Sequence, residues 1–334
     1  MIRLGIGIVT YRRPDLVRGT LDAVRRFTRR PCHLVVADDG SGDDTLRQLR
    51  PLATVVTGAN HGVTWNKNRA LFHLRAVLHC DVVILLEDDV HPTELGWEED
   101  WIDAVSRWGH ANLAGHWFRE SFVRGSGTPA DPFLSRDFSG QCTAFSGEAI
   151  DYVGYLDTRY RGFGIGHVDH TRRLGRAGYG AVRDPDHNTL FQLIESPLRF
   201  VWAETARKDE DVRRNHALYQ TLQHEPVFRF PWNTDAELAE FRAEQRGALQ
   251  PSDAPAPDAP PPATDAPAAA APAVAAPIPP ASPPSPPSPR PAMPPVADPA
   301  AAAAVPPSKP PRPRSAKRPA PAGTAARVRT APAS

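Results

Sequence analysis

Cysteine is scarce in this chain. It carries three, Cys32, Cys80 and Cys142, far apart and without a CxxC pair. Such a set builds neither a disulfide framework nor a thiolate metal site, and it suits a reducing compartment. Long apolar runs are missing as well. The run Leu4–Val9 is too short for a secretory leader or a membrane span, and no other stretch approaches the ~20 apolar residues a span requires. The expectation is a soluble, cytoplasmic protein with no transmembrane segment. A dominant charge sign is also lacking, with 39 basic against 38 acidic residues. Domains that grip nucleic acid usually carry a basic excess, so small molecules or neutral polymers are the expected partners and nucleic acid is not.

A further absence divides the chain. No tryptophan, tyrosine, phenylalanine, histidine or cysteine lies beyond residue 250, whereas 28 of the 38 prolines do. A Pro/Ala-rich stretch without aromatics has too little apolar surface to offset the entropy of ordering it. Residues 251–334 are therefore expected to be a disordered tail, and residues 1–250 a single domain large enough for a full core. The tail carries five basic residues close together, Lys309, Arg312, Arg314, Lys317 and Arg318, enough for weak, salt-sensitive contact with polyanions.

Within 1–250 the pattern alternates. Arg3–Val9 reads as a buried strand, followed by a helix with Pro14 in its first turn and Val17, Leu21 and Val24 on one face. Residues 33–37 form the next strand, then a short helix carries Leu46 and Leu49. Ala53–Thr57 is a third strand. A helix spans Thr64–His79, and residues 81–86 are a fourth strand. Short apolar strands alternating with helices predict a mostly parallel α/β sheet covered on both faces. Trp97, Trp101, Val105 and Trp108 fit one helix face, as core packing. Pro92 is placed just before a helix, residues 118–136 as a long loop, 138–146 as a strand running into a helix through Val153, and 234–246 as the last helix.

Ligands of such sheets bind beyond the carboxyl ends of the strands. Three strands here end in polar groups: Thr10-Tyr11, Asp38-Asp39 and Glu87-Asp88-Asp89. Adjacent acids after an apolar strand suit Mg²⁺ or Mn²⁺, hard cations that share coordination with phosphates. Asp89 is the first candidate ligand, and Asp88 is a second, directly or through water.

Four segments in order carry a family resemblance. They are Ile8-Val9-Thr10-Tyr11-Arg12-Arg13-Pro14, then Val35-Val36-Ala37-Asp38-Asp39-Gly40-Ser41, then Asn60-His61-Gly62-Val63-Thr64-Trp65-Asn66-Lys67-Asn68, and Leu85-Leu86-Glu87-Asp88-Asp89. With these the chain resembles the family 2 nucleotide-sugar glycosyltransferases of the GT-A fold, a Rossmann-like, mixed, mostly parallel sheet with helices on both faces. The resemblance implies a nucleotide-sugar-binding half, 1–110, and an acceptor half, 111–250. It places Thr10, Tyr11 and Asp39 at the nucleobase, Glu87 or Asp88 at the ribose, Lys67 at the phosphates and Asp89 on the metal. A UDP-sugar donor and a carbohydrate or other hydroxyl acceptor are implied, with inversion at the anomeric carbon.

The family also places an acidic pair before a helix ending in Arg-Leu. Aligned on Gly154-Tyr155-Leu156-Asp157 and on Arg173-Leu174, that position holds Gly166-His167, with Asp169 two residues on. Asp169 is the expected base, with His167 second. His187 is a candidate distal metal ligand, and His116, Trp117 and the 118–136 loop are candidates for shaping the acceptor site. The departure at Gly166-His167 leaves an alternative open, a catalytically weak or inactive nucleotide-sugar-binding protein of the same fold. A sugar-nucleotide pyrophosphorylase is disfavoured, because residues 10–20 lack its Gly-rich basic loop.

Overall fold

The structure is a computed structural model that describes residues 1–42, 44–201 and 209–251. The chain divides into two units, Met1–Ser288 and Pro289–Ser334. The second unit, and all of the expected tail except Pro251, lies outside the described residues.

The first strand, β1 (Leu4–Thr10), is buried at all seven positions. Its alternation explains the sequence. Leu4, Ile6 and Ile8 enter one core, while Gly5 and Gly7 face the other side, where a Cβ would sit 2.8 Å from the Leu74 side chain or 3.0 Å from Ala70 Cβ. Glycine there lets a helix lie directly on the strand. Parallel neighbours follow: β2 (Cys32–Asp38) on one side of β1 and β4 (Val82–Glu87) on the other, with β3 (Thr54–Thr57) outside β2. Their connections are α1 (Pro14–Phe27), α2 (Thr45–Leu49) and α3 (Val63–Phe72), the last continued by a π-helical turn, His73–Val77.

The remaining strands extend the same sheet. They are β6 (His110–Leu113), β7 (Phe122–Arg124), β8 (Phe133–Ser135), β9 (Cys142–Ser146), β10 (Ala181–Arg183) and β11 (Thr189–Ile194), and β5 (Val90–Pro92) pairs apart with β12 (Leu198–Phe200). The spatial order is β3-β2-β1-β4-β9-β6-β11-β8-β7, with β10 on β11. Strand β9 runs antiparallel between β4 and β6, so residues 1–110 and 111–250 share one sheet. One face is covered by α1 and α4 (Glu98–Trp108), through Val17, Leu21, Val24, Trp101 and Val105. The other face is covered by α3, α5 (Gly147–Val153) and α6 (Gly166–Arg176). Helices α7 (Asp209–Leu222) and α8 (Asp235–Arg246) complete the domain. Among the described residues no helix is long and apolar enough to cross a membrane.

Two local expectations change. Pro92 ends the strand β5, and the helix begins six residues later at Glu98. Pairing of Leu198 with Pro92 and of Phe200 with Val90 draws this segment into a ribbon. Residues 118–136 are not an open loop. They form the end of a 3₁₀ turn and the β7–β8 hairpin, with Phe122 stacked on Phe133 at 4.5 Å and β8 paired to β11.

A buried histidine sits at the centre of the second half. His110 is fully buried, stacked on Phe145 at 4.8 Å, with Nδ1 2.8 Å from the Ala144 carbonyl and Nε2 3.0 Å from Asn112 Nδ2. Burial pushes its pKa down to about 4. The unfolded chain therefore binds a proton that the folded one does not. Stability is full above pH ~6.5 and falls as pH drops from there through about 4, by ~3 kcal/mol in all for this group. Urea unfolding at pH 7 and pH 5 should show a smaller loss for His110→Gln than for the wild type; equal losses would refute the assignment.

Candidate functional site

Strand register brings the three polar ends together. Thr10 lies opposite Asp38, and Val9 opposite Glu87, so Thr10-Tyr11, Asp38-Asp39 and Glu87-Asp88-Asp89 leave adjacent parallel strands at one edge. Asn66 of α3 reaches into that edge, its Nδ2 donating to the carbonyls of Thr10 at 3.1 Å and Ala37 at 3.0 Å. Tyr11 is exposed, with the Arg12 guanidinium 5.2 Å from its ring centroid. Asp38 is turned inward. Its carboxylate accepts from the Ser41 hydroxyl and amide and from Thr57 Oγ1, which fastens the loop after β2.

Asp39 is bound on both oxygens. Oδ1 takes the His61 amide at 3.1 Å and Arg69 Nη1 at 2.9 Å, and Oδ2 takes the Gly62 amide at 2.8 Å. Arg69 is completely buried and also meets Glu244 of α8 in a fork, Nε to Oε2 at 3.0 Å and Nη2 to Oε1 at 2.6 Å. A planar guanidinium suits two carboxylates in this way, where an ammonium would not. Trp65 Nε1 donates to Glu244 Oε2 as well, at 2.9 Å. His61, Glu240 and Glu244 carry ligand atoms within 4.8 Å of one another. They do not make a cation site, because both Glu244 oxygens already face Arg69 and the Arg161 guanidinium lies 3.3 Å from the His61 ring.

The acidic triplet splits into three environments. Glu87 pairs with Lys67 at 2.9 Å, and Lys67, almost fully buried, also donates to the Gly140 carbonyl at 2.7 Å. Asp88 is buried and takes Thr10 Oγ1 at 2.7 Å on one oxygen and Arg13 at 3.2 Å on the other. Burial raises its carboxyl to about 6 against the pull of those two partners. Asp89 differs: its Oδ1 is buried with no hydrogen-bond partner among the described residues. Burial first, and then the charge of Glu87, raises this carboxyl too. An orphaned carboxylate oxygen beside other acids is the donor a hard divalent cation requires, so the residues present fit such an ion at Asp89. They fit it less at Asp88, whose oxygens are both engaged.

Helix α6 starts beside α3, with Gly166 next to Thr64. Asp169 is buried in its first turn and accepts from Arg173 Nε at 2.7 Å; Arg173 is itself buried and donates to the carbonyls of Val153, Tyr155 and Val227. His167 is half-buried and lines a small cavity with Lys67, and burial, then the Lys67 charge, pushes its imidazole down to about 4. Ile165, just before the helix, holds φ at 67°. That is a rare conformation for a β-branched residue, of the kind found where surrounding structure over-determines the backbone. Here Asn215 of α7 binds the carbonyls of Arg161, Phe163 and Gly164. Gly62 approaches Gly162 so closely that a Cβ would lie 2.7 Å from its amide nitrogen.

His187 does not join this group. It is exposed in the β10–β11 turn, before the start of β11, at the opposite end of the sheet from the carboxyl ends of β4 and β11. Sequence reasoning missed Arg69, Glu244 and Asn66. Glu244 reads like Glu237 or Glu240 on an ordinary polar helix. Only the unbroken burial of Thr64 to Leu71 reveals that α3 sends polar groups inward, and no periodicity signals it.

Comparison with known proteins follows from this geometry. The model of the family described as Glycosyl transferase family 2 matches residues 6–177, more than half of the chain. The galactofuranosyltransferase GlfT1 of Mycobacterium tuberculosis is 39% identical over 89 residues, 25% of this chain and 29% of that protein, so the match spans less than a third of that relative. The N-acetylglucosaminyl-diphospho-decaprenol L-rhamnosyltransferase of the same organism is 26% identical over 241 residues, 59% of this chain and 78% of that one. A crystal structure of GalNAc-T7 with UDP, GalNAc and Mn²⁺ superposes with a TM-score of 0.50 at 13% identity, over 75% of this chain and 55% of that one, a likeness of fold alone.

Removing Glu244 leaves Arg69 buried with Asp39 as its single carboxylate. Glu244→Ala should cost about 3–5 kcal/mol in urea unfolding. A loss within ~0.5 kcal/mol, the range of an ordinary surface substitution, would show that the fork does not hold the edge together.

Proposed function

The chain belongs to glycosyl transferase family 2, and we propose that it moves a sugar from a nucleoside diphosphate sugar, a UDP-sugar first, to an acceptor hydroxyl with inversion at the anomeric carbon. The observation that carries this reading is the meeting of Thr10, Asp39, Lys67 and the acidic triplet at one sheet edge, with an Asp89 oxygen that has no partner among the described residues. Thr10, Tyr11 and the loop fastened by Asp39 would border the nucleobase. Glu87, held by Lys67, would face the ribose. Lys67 lies too deep to clamp phosphates alone, and its pairing with Glu87 makes it a positioning residue. Asp88 would support the edge through Thr10 and Arg13.

Asp89 would hold Mn²⁺ or Mg²⁺, and such an ion neutralises the charge that develops on a diphosphate leaving group. The bond from anomeric carbon to phosphate oxygen breaks as the acceptor oxygen bonds to that carbon from the opposite face. Asp169, aligned by Arg173, takes the acceptor proton, and the nucleoside diphosphate leaves. His167, neutral at physiological pH, would border this path.

A second reading, donor binding with weak or no turnover, is favoured by one observation: the Asp169 carboxylate is buried and already paired. One set of assays separates the two. UDP- and GDP-sugars are offered with Mn²⁺, Mg²⁺ or EDTA, and turnover and donor binding are both recorded. Turnover should require the metal, and Asp89→Ala should lower kcat/KM on the order of 10²–10³-fold; full turnover by that variant sinks the metal assignment. Asp169→Asn should lower kcat by ~10²–10⁴-fold and His167→Ala by less. Tight donor binding without turnover across an acceptor panel would establish the second reading.

A further inference from the structure

Among the described residues four other than glycine hold a positive φ, and of these Ile165 alone is β-branched. It stands at φ 67° and ψ −34°, and the Gly166 amide donates to the Gly164 carbonyl at 2.9 Å. That is a γ-turn of the rare, strained kind, made costlier by the branched side chain at its centre.

The turn is held from two sides. On one side the backbone is wedged. A Cβ has no room on Gly62, which faces Gly162, on Gly166, which faces Thr64 of α3, or on Gly140, which faces the His167 imidazole. On the other side stands α7. Its Asn215 is buried and gives Nδ2 to three carbonyls, Arg161 at 2.9 Å, Phe163 at 3.0 Å and Gly164 at 3.2 Å. An amide carries two N–H bonds, so one of them is shared. On the same face of α7, Arg214 donates to the Arg161 carbonyl at 2.6 Å and Asp211 accepts from the Phe163 amide at 3.3 Å.

Asn215 uses its donor end alone. Its Oδ1 is buried with no hydrogen-bond partner among the described residues. A buried unpaired oxygen costs stability, so the worth of this side chain lies in the carbonyls it gathers. What they hold is the entry to α6. The Ile165 carbonyl accepts the Asp169 amide at 3.0 Å, which opens the helix. The next turn of chain carries His167, which shares a small cavity with Lys67, and Asp169, paired with Arg173. Strain of this kind persists only where the surroundings over-determine the backbone.

We propose that Asn215 is a positioning residue: its amide holds the strained turn at Ile165 and so fixes the start of α6, with His167 beside Lys67 and Asp169 on Arg173. The proposal rests on the transferase reading for its effect on turnover, and on the turn alone for the placement of His167.

The test uses the full chain, Asn215→Ala, Asn215→Asp, and Asn215→Ala combined with Ile165→Gly. Glycine takes a positive φ without strain, so it removes the load that the amide bears. Two quantities are measured. The first is the protonation of His167, followed by NMR between pH ~5 and ~7.5 and identified by the signal lost in His167→Ala. Burial and the Lys67 charge keep this imidazole neutral over that range in the wild type. In Asn215→Ala it should begin to protonate there, because a loosened start of α6 lessens its burial. In the double variant it should be neutral again. The second is turnover of a sugar nucleotide with Mn²⁺. Here kcat should fall roughly 10–100-fold in Asn215→Ala, and at least as far in Asn215→Asp, which turns a carboxylate toward three carbonyls. Donor KM should move little, and Ile165→Gly should restore most of kcat. A general weakening of the fold lowers urea stability without this split and without repair by glycine. If Asn215→Ala does not fold, Asn215→Ser, which keeps a short donor, takes its place. An imidazole that stays neutral in Asn215→Ala, a kcat that does not fall, or a double variant no better than the single one overturns the proposal. A His167 titration that shifts and is restored by Ile165→Gly, in a chain that turns over no donor, upholds the role of Asn215 and sinks the transferase reading instead.

Discussion

The buried Arg69 guanidinium is the constraint from which the edge is built. It lies in the middle of α3, between the Asp39 loop after β2 and Glu244 of α8. A cation so placed must be matched by charge and by hydrogen bonds, or it destabilises the fold. Matching it fixes three things at once. The Asp39 carboxylate is held against the His61 and Gly62 amides, which sets the start of α3. That start positions Asn66 across β1 and β2 and Lys67 under Glu87. The last helix is drawn back onto the first half, where Phe241 meets Trp65 and Phe72 edge-on at 5.4 and 5.3 Å.

The acidic triplet shows how one short run divides its labour. Glu87 is held by an ammonium, Asp88 by a hydroxyl and a guanidinium, and Asp89 keeps an oxygen free of partners among the described residues. The chain leaving β4 makes this possible, because Glu87 is the last residue of the strand while Asp88 and Asp89 lie in the turn before β5. Three identical charges would repel if they shared one space. Separated by the turn, each has its own surroundings, and among the described residues Asp89 alone of the three keeps an oxygen with capacity for an ion.

Much of the first half was legible in the sequence. The strands β1 to β4 are continuous apolar runs with turn residues between them, and parallel pairing of buried strands leaves little choice of face. The convergence of Thr10, Asp39 and Glu87 follows from that topology alone. The second half was read less well because its order comes from tertiary pairing. Pro92 looks like a helix start until Leu198 is known to lie opposite it. The Ser126–Asp131 turn looks like loop until β8 is known to pair with β11. His187 was credited for its residue type, and its place at the far end of β11 was invisible without the register. The roles of Glu244 and Arg69 depend on a contact 175 residues apart in the chain, which no local pattern encodes.

That separation has a consequence for how the molecule is made. Ribosomes add roughly 5–20 residues each second, so Arg69 exists for about 10–35 s before Glu244 does. During that interval the nascent strands can pair, but a guanidinium destined for the interior has only Asp39 to balance it. The nucleotide-facing edge is synthesised first and becomes electrically complete only when α8 arrives.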